Sequence, residues 1–242
     1  MTSKISVCLE VGPQATGAFV PDYPGCWVIG HTKESALDKV RIAIRDWIKW
    51  VNKHGAIYPN FSNRIEVEVA EMLRVNYNPA EAGKPEPLFW SEVPPVEKED
   101  IARTVRLMGY SRKELLRIVN SISDECLDWK PSSKPRAIRN CLEHIAIVEP
   151  WYISRVNIYL SEDYPEDVID LLNHTRDIVI ACLNNFPERK MKGIFQPRKD
   201  KSPICDLWTT RKMLRRFVDH ERIHTRYIEN VLKMYNETKG SK

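Results

Sequence analysis

Residues 77–97, YNPAEAGKPEPLFWSEVPPVE, contain five prolines. Each proline fixes its own φ and removes a backbone donor, so neither a helix nor an inner strand can run through this stretch. The chain is therefore cut into an N-terminal part, residues 1–76, and a C-terminal part, residues 98–242. The intervening segment is expected to be an extended, semi-rigid linker. Leu88, Phe89 and Trp90 make one apolar point in it, expected to dock on a protein surface.

The N-terminal part reads with the two-residue period of strands. KISVCLEV (4–11) and TGAFVP (16–21) flank a Gly12-Pro13 break, and a short strand over 26–30 follows Tyr23-Pro24-Gly25. Thr32 then caps a helix whose apolar residues, Ala36, Leu37, Val40, Ile44, Trp47, Ile48 and Val51, follow a 3.6-residue period and stop at Gly55. IEVEVAEMLRV (65–75) alternates again. The order β-β-β-α-β specifies a small α+β domain ending near residue 76.

Past residue 97 the period changes to that of helices. Helical structure is expected over 98–109 and 111–123, the second opened by a capping box, Ser111-Arg112-Lys113-Glu114, as one helix or a kinked pair that ends before Asp128. Further helices are expected over 136–160, with a kink at Pro150, over 165–185, and from Thr209 or Thr210 to about 236. A basic loop over 187–203 precedes the last. Long amphipathic helices with connecting loops describe an all-α four-helix bundle.

Composition narrows the class of function. A net charge of +4 is too weak a bias for a nucleic-acid partner. No apolar run is long enough for a membrane span, and the N-terminus turns polar too early for a signal peptide. Cys8, Cys26, Cys126, Cys141, Cys182 and Cys205 contain no CxxC and fit reduced thiols of a cytoplasmic protein.

The chemistry concentrates in the last helix. Met213, Phe217, His220, His224, Ile228 and Val231 fall on one stripe at steps of three and four. Both histidines should therefore point inward, where each ring nitrogen needs a partner. In the second long helix His144 shares a stripe with Cys141, Val148, Trp151 and Arg155, so a third imidazole also faces inward. Three imidazoles on one divalent metal would satisfy this demand and leave one position open for water or substrate. The order HERIH matches HExxH, in which the glutamate acts as general base, but here the third histidine lies upstream on another helix.

Residues 98–236 resemble the DinB/YfiT-like family of metal-binding four-helix bundles. The residues that carry the resemblance are RNCLEHIA (139–146) and WTTRKMLRRFVDHERIH (208–224). It implies His144, His220 and His224 as ligands of a divalent metal, zinc or nickel first. It also implies either a thiol-dependent S-transferase that uses a low-molecular-weight thiol or a hydrolase. The other reading is a non-enzymatic binding or stress-response protein with a structural or vestigial metal site. Residues 5–50 resemble the HicB-like antitoxin fold, carried by GAFVPDYPGC (17–26) and GHTKESAL (30–37), which implies a partner-binding or dimerising domain. The expected partners are thus a small-molecule substrate and a second copy of the chain.

Other candidates are set beside these. Glu143 or Glu221 would support a ligand imidazole, or else lie at the surface. Cys141 reads as a core residue or a thiol close to the metal. His31 is expected in solvent, His54 at a helix end, and His174 at the surface. Arg189, Lys190, Lys192, Arg198, Lys199, Lys201, Arg211, Lys212, Arg215 and Arg216 read as a solvated basic loop and helix face.

Overall fold

The computed structural model describes residues 4–56, 65–80, 84–161, 163–197 and 206–240. Cys205, Arg198, Lys199 and Lys201 lie outside them. Strands β1 (Lys4–Val11), β2 (Thr16–Phe19), β3 (Trp27–Gly30) and β4 (Glu66–Arg74) form one sheet in the order β3-β2-β1-β4. Successive strands β1, β2 and β3 pair antiparallel, and β4 lies parallel to β1. A parallel neighbour needs a crossover, and helix α1 (Lys33–Lys53) supplies it. Thr32 caps α1 by accepting from the Ser35 amide at 3.1 Å. Ala36, Val40, Ile44, Trp47 and Val51 are buried along one face, so the expected α+β order is found.

The helical part comprises α2 (Lys98–Val119), a short α3 (Asp124–Asp128), α4 (Ile138–Ser154), α5 (Val168–Asn184) and α6 (Thr210–Gly240). Helices α2 and α4 each pack against both α5 and α6. Among the described residues no helix is long and apolar enough to cross a membrane.

Of the two forms expected over 98–123, one helix or a kinked pair, the single helix is found. Helix α2 runs straight through Gly109 and Ser111, and Ser111 is buried rather than a cap. The sheet-bearing part and α6 force this outcome: burying Leu107, Met108 and Leu115 on one continuous face outweighs a local capping motif. Glu114 reaches Lys53 at 3.6 Å and His54 at 3.4 Å instead. His54 is thereby more than a residue at a helix end: its ring stacks on Tyr110 with centroids 4.5 Å apart and joins α1 to α2. Helix α4 is shorter than expected, Ile138–Ser154, with Pro150 inside it.

One apolar cluster extends from the sheet into the helices. It includes Leu9, Ala18, Val40 and Trp47 from the N-terminal part, and Leu107, Met108, Ile153, Phe217 and Val218 from the helical part. A second cluster fills the far end of the helices with Leu115, Ile138, Leu142, Ile145, Ile228 and Val231.

The described residues of the proline-rich segment, 84–97, lie against both parts like a strap. Phe89 is buried, edge-on to Phe19 at 5.0 Å, whereas Trp90 stays 78% exposed, so the apolar point docks through one ring only. The start of α6 grips the strap with its cations. Lys212 Nζ donates to the Glu86 carbonyl at 2.7 Å, Arg215 Nε to Glu92 Oε1 at 2.7 Å, and Arg216 pairs with Glu86 at 2.8 Å. Lys212 and Arg215 are buried. The expected solvated basic face is therefore an internal fastening. A strap that cannot complete a sheet or helix leaves carbonyls that need donors.

The turn between β2 and β3 docks on α6. Gly25 has φ +90°, donates its amide to Asp219 Oδ1 at 2.6 Å, and its carbonyl accepts from Arg222 Nε at 3.2 Å. A Cβ there would lie 2.6 Å from Arg222 Cδ and 2.9 Å from Val218 Cγ1. A Gly25→Ala chain is expected to lose about 1–3 kcal/mol, from left-handed backbone strain and the forced opening of this contact. Urea denaturation measures it, and a loss below about 0.5 kcal/mol would mean that the turn is not held on α6.

Candidate metal centre

Helix α6 places His220 and His224 one turn apart on its buried stripe, between Phe217 and Ile228. Helix α4 brings His144 to them. The His220 and His144 Nε2 atoms are 3.1 Å apart. Ring centroids are separated by 4.9 Å (His144–His220), 4.9 Å (His144–His224) and 4.4 Å (His220–His224). One nitrogen from each ring lies within 4.8 Å of the others. His220 is buried, and His144 and His224 are half-buried, so the cluster has a closed side and an open side.

These rings suit a cation. Nitrogens held about 2.0–2.1 Å from one tetrahedral ion stand roughly 3.4 Å apart, close to the spacing seen between His144 and His220. Burial is the first cause that opposes their protonation. It pushes His144 down to about 4 and His224 down to about 3, and it holds His220 well below the ordinary imidazole range. The rings also repel each other's charge. At neutral pH all three present a free lone pair, the form that binds a metal.

The surroundings orient the rings. Cys141 Sγ is 3.4 Å from His224 Nδ1, which leaves Nε2 of that ring for another partner. Burial pushes the Cys141 thiol up to about 12, so it stays protonated. Cys141 is thus both a core residue and a thiol beside the cluster. Tyr152 stands edge-on to His220, with centroids 5.7 Å apart, and its hydroxyl accepts from Arg216 at 3.1 Å. Trp151 is partly exposed and lies under Arg155, 4.2 Å from centroid to guanidinium.

Glu221 does not support the imidazoles. It lies buried, accepting from Arg112 Nε at 2.7 Å and Arg176 Nη2 at 3.0 Å. The same two arginines also hold Glu149, Arg112 at 2.9 Å and Arg176 through a short bond. Burial alone would raise the Glu221 pKa, but Arg176 and Arg112 outweigh it and hold the carboxyl below its usual range. The HExxH reading, with a free glutamate as base, does not fit this arrangement. Glu143 is half-buried and accepts from Asn140 at 3.2 Å. His174 is half-buried on α5 and outside the cluster, and His31 is exposed.

Sequence reasoning missed this four-residue ion network. Its only trace was the occurrence of Arg112, Glu149, Arg176 and Glu221 among apolar neighbours within helices.

A sequence model of the DinB superfamily matches residues 108–228, a span that contains all three histidines, the whole of α4 and α6 as far as Ile228. Neither the curated proteins nor the solved structures yield a match. The match covers half of the 242 residues, and the chain belongs to the DinB superfamily.

Proposed function

We propose that this protein is a metal-dependent thiol S-transferase, with one divalent cation, zinc or nickel, held by His144, His220 and His224 inside a four-helix bundle. The observation that carries the reading is the meeting of three neutral imidazoles from two helices, with His144 and His224 still half-exposed. Three nitrogen donors leave a coordination position for a reacting molecule, the pattern of a catalytic rather than a closed structural site. A cation bound there would supply Lewis-acid charge that lowers the pKa of a coordinated thiol or water.

The chain's own residues do the rest. Cys141 lies against the His224 ring, Tyr152 packs on Phe217 and edge-on to His220, and a small-molecule substrate would approach from the half-exposed side at His144 and His224. Thiol transfer is favoured over hydrolysis because Glu221, the carboxylate best placed in sequence to serve as a base, is consumed by Arg112 and Arg176. A thiol needs only ionisation to become the nucleophile. The residues before the strap, 1–76, are read as a HicB-like domain that binds a partner protein or a second copy.

The test uses the full chain, stripped and reloaded with zinc or nickel, with monobromobimane as electrophile and 2-mercaptoethanol as thiol. Metal-loaded protein is expected to accelerate conjugate formation at least ten-fold over metal-free protein, through a lowered thiol pKa. Turnover of p-nitrophenyl acetate without any thiol effect would move the reading to hydrolase. Metal that only raises the melting temperature, with neither reaction accelerated, would make the site structural and overturn the enzymatic reading.

A further inference from the structure

Apart from the histidines, a cavity of about 50 Å³ lies where the N-terminal part, the strap and the helical part meet. It shares no residue with the metal cluster. Phe19, Pro21 and Pro24, from the end of β2 and the turn after it, and Leu214 of α6 make its apolar wall. Five charged residues complete the lining: Glu92 of the strap, Asp100 and Arg103 of α2, and Arg211 and Arg215 of α6.

Four of these five charges are matched. Arg215 Nε donates to Glu92 Oε1 at 2.7 Å, and its Nη1 donates to Asp219 Oδ2 at 2.6 Å. Arg211 donates to Asp100 Oδ2 at 3.1 Å and to the carbonyls of Pro94 and Pro95. Both lining carboxylates are thus taken, and neither is free to hold a cationic ligand. Arg103 is left over. Its Nη2 donates to the Asp22 carbonyl at 2.5 Å, which fastens the turn to α2, and its Nε is buried with no hydrogen-bond partner. Among the described residues no carboxylate pairs with it. A guanidinium carries five donors, and a buried donor left unpaired costs free energy. The cavity therefore holds one uncompensated positive charge beside an apolar wall.

We propose that this cavity is a second ligand site, for a small organic carboxylate, whose anionic end pairs with Arg103 while its short apolar chain lies on Phe19, Pro21, Pro24 and Leu214. The charge count selects an anion. The apolar wall selects an organic one over an inorganic oxyanion, which would face that wall with unpaired polar oxygens. A water needs roughly 10–15 Å³ of such space, so the cavity has room for about four, or for one molecule the size of propionate. The planar fork of a guanidinium matches a carboxylate. Small-molecule sites commonly take this form, apolar with a few convergent polar groups at a junction between domains. A carboxylate bound here would tie the turn, the strap, α2 and α6 together. Nothing in this site depends on the histidine cluster or its metal.

The test uses the full chain and ligand-observed NMR, with propionate as the probe and propionamide and inorganic phosphate as comparisons. Wild-type protein is expected to bind propionate at least ten-fold more tightly than either. Its melting temperature should rise by about 3 °C at a propionate concentration ten times Kd. Arg103→Gln, whose amide can still donate to the Asp22 carbonyl, should lose both the preference and the rise. Arg103→Lys keeps the charge and should retain part of both. If the glutamine variant does not fold, a lysine variant with no preference for the carboxylate overturns the proposal. His144→Ala should bind propionate as the wild type does, and loss of binding in that variant would overturn a site separate from the histidines. Undetectable binding of propionate, equal affinity for propionate and propionamide, tighter binding of phosphate, or a preference that survives in Arg103→Gln each overturns the proposal.

Discussion

An Arg176→Ala chain is expected to lose about 3–5 kcal/mol of folding free energy and to unfold well below the wild-type denaturation midpoint. Arg176 is buried at the centre of the helical part, donating to Glu149, to Glu221 at 3.0 Å and to the Met108 carbonyl at 2.7 Å. Two carboxylates and two guanidiniums balance there. Removing one guanidinium leaves Arg112 alone to compensate two buried anions, and the excess charge has no water to stabilise it. One carboxyl must then take up a proton, so the variant should regain stability as the pH is lowered toward the carboxyl range, before general acid unfolding begins. Urea titration at several pH values measures both effects. A loss below about 1 kcal/mol would mean that the network is hydrated and that its geometry contributes little. Replacing all four residues with apolar ones of similar size should be far milder, because no charge is then stranded.

His220→Ala is expected to weaken metal binding by a factor on the order of 100 or more, since the binding energy of a divalent ion is shared among only a few nitrogens. His220 is the most buried ring of the cluster and the one whose Nε2 stands 3.1 Å from His144. Elemental analysis after dialysis against a weak chelator measures the change. Glu221→Gln is the informative control. If the glutamate belonged to a metalloprotease-type site, the variant would keep its fold and lose activity. In this arrangement it should keep its metal and lose stability, because the carboxylate serves Arg112 and Arg176. A His220→Ala chain that holds metal as firmly as wild type would remove the cluster as the binding site.

Periodicity carried most of the fold. The alternation in EVEVAEMLR and the stripe of Met213, Phe217, His220, Ile228 and Val231 each encode a face, and those faces are the buried ones or the paired ones observed. Local signals were weaker wherever tertiary burial competed with them. Ser111 and Glu114 have the form of a helix start, yet Leu107, Met108 and Leu115 are buried along one unbroken helix across that point. Partnerships between distant charges left almost no local mark. Arg112, Glu149, Arg176 and Glu221 sit on four different helices, and each taken alone resembles a surface charge. The same holds for Lys212 and Arg215, whose partners lie in the proline-rich strap. Backbone groups stripped of regular structure create a demand for donors that can be located only once the chain is folded.

Helix α6 also acts as a ruler. Its first turns grip the strap through Lys212 and Arg215, Asp219 holds the turn at Gly25, and His220 and His224 follow directly along the same rigid rod. An α-helix advances about 1.5 Å per residue and does not compress. The seat of the strap, the turn at Gly25 and the two imidazoles therefore share one element and keep fixed spacings along it.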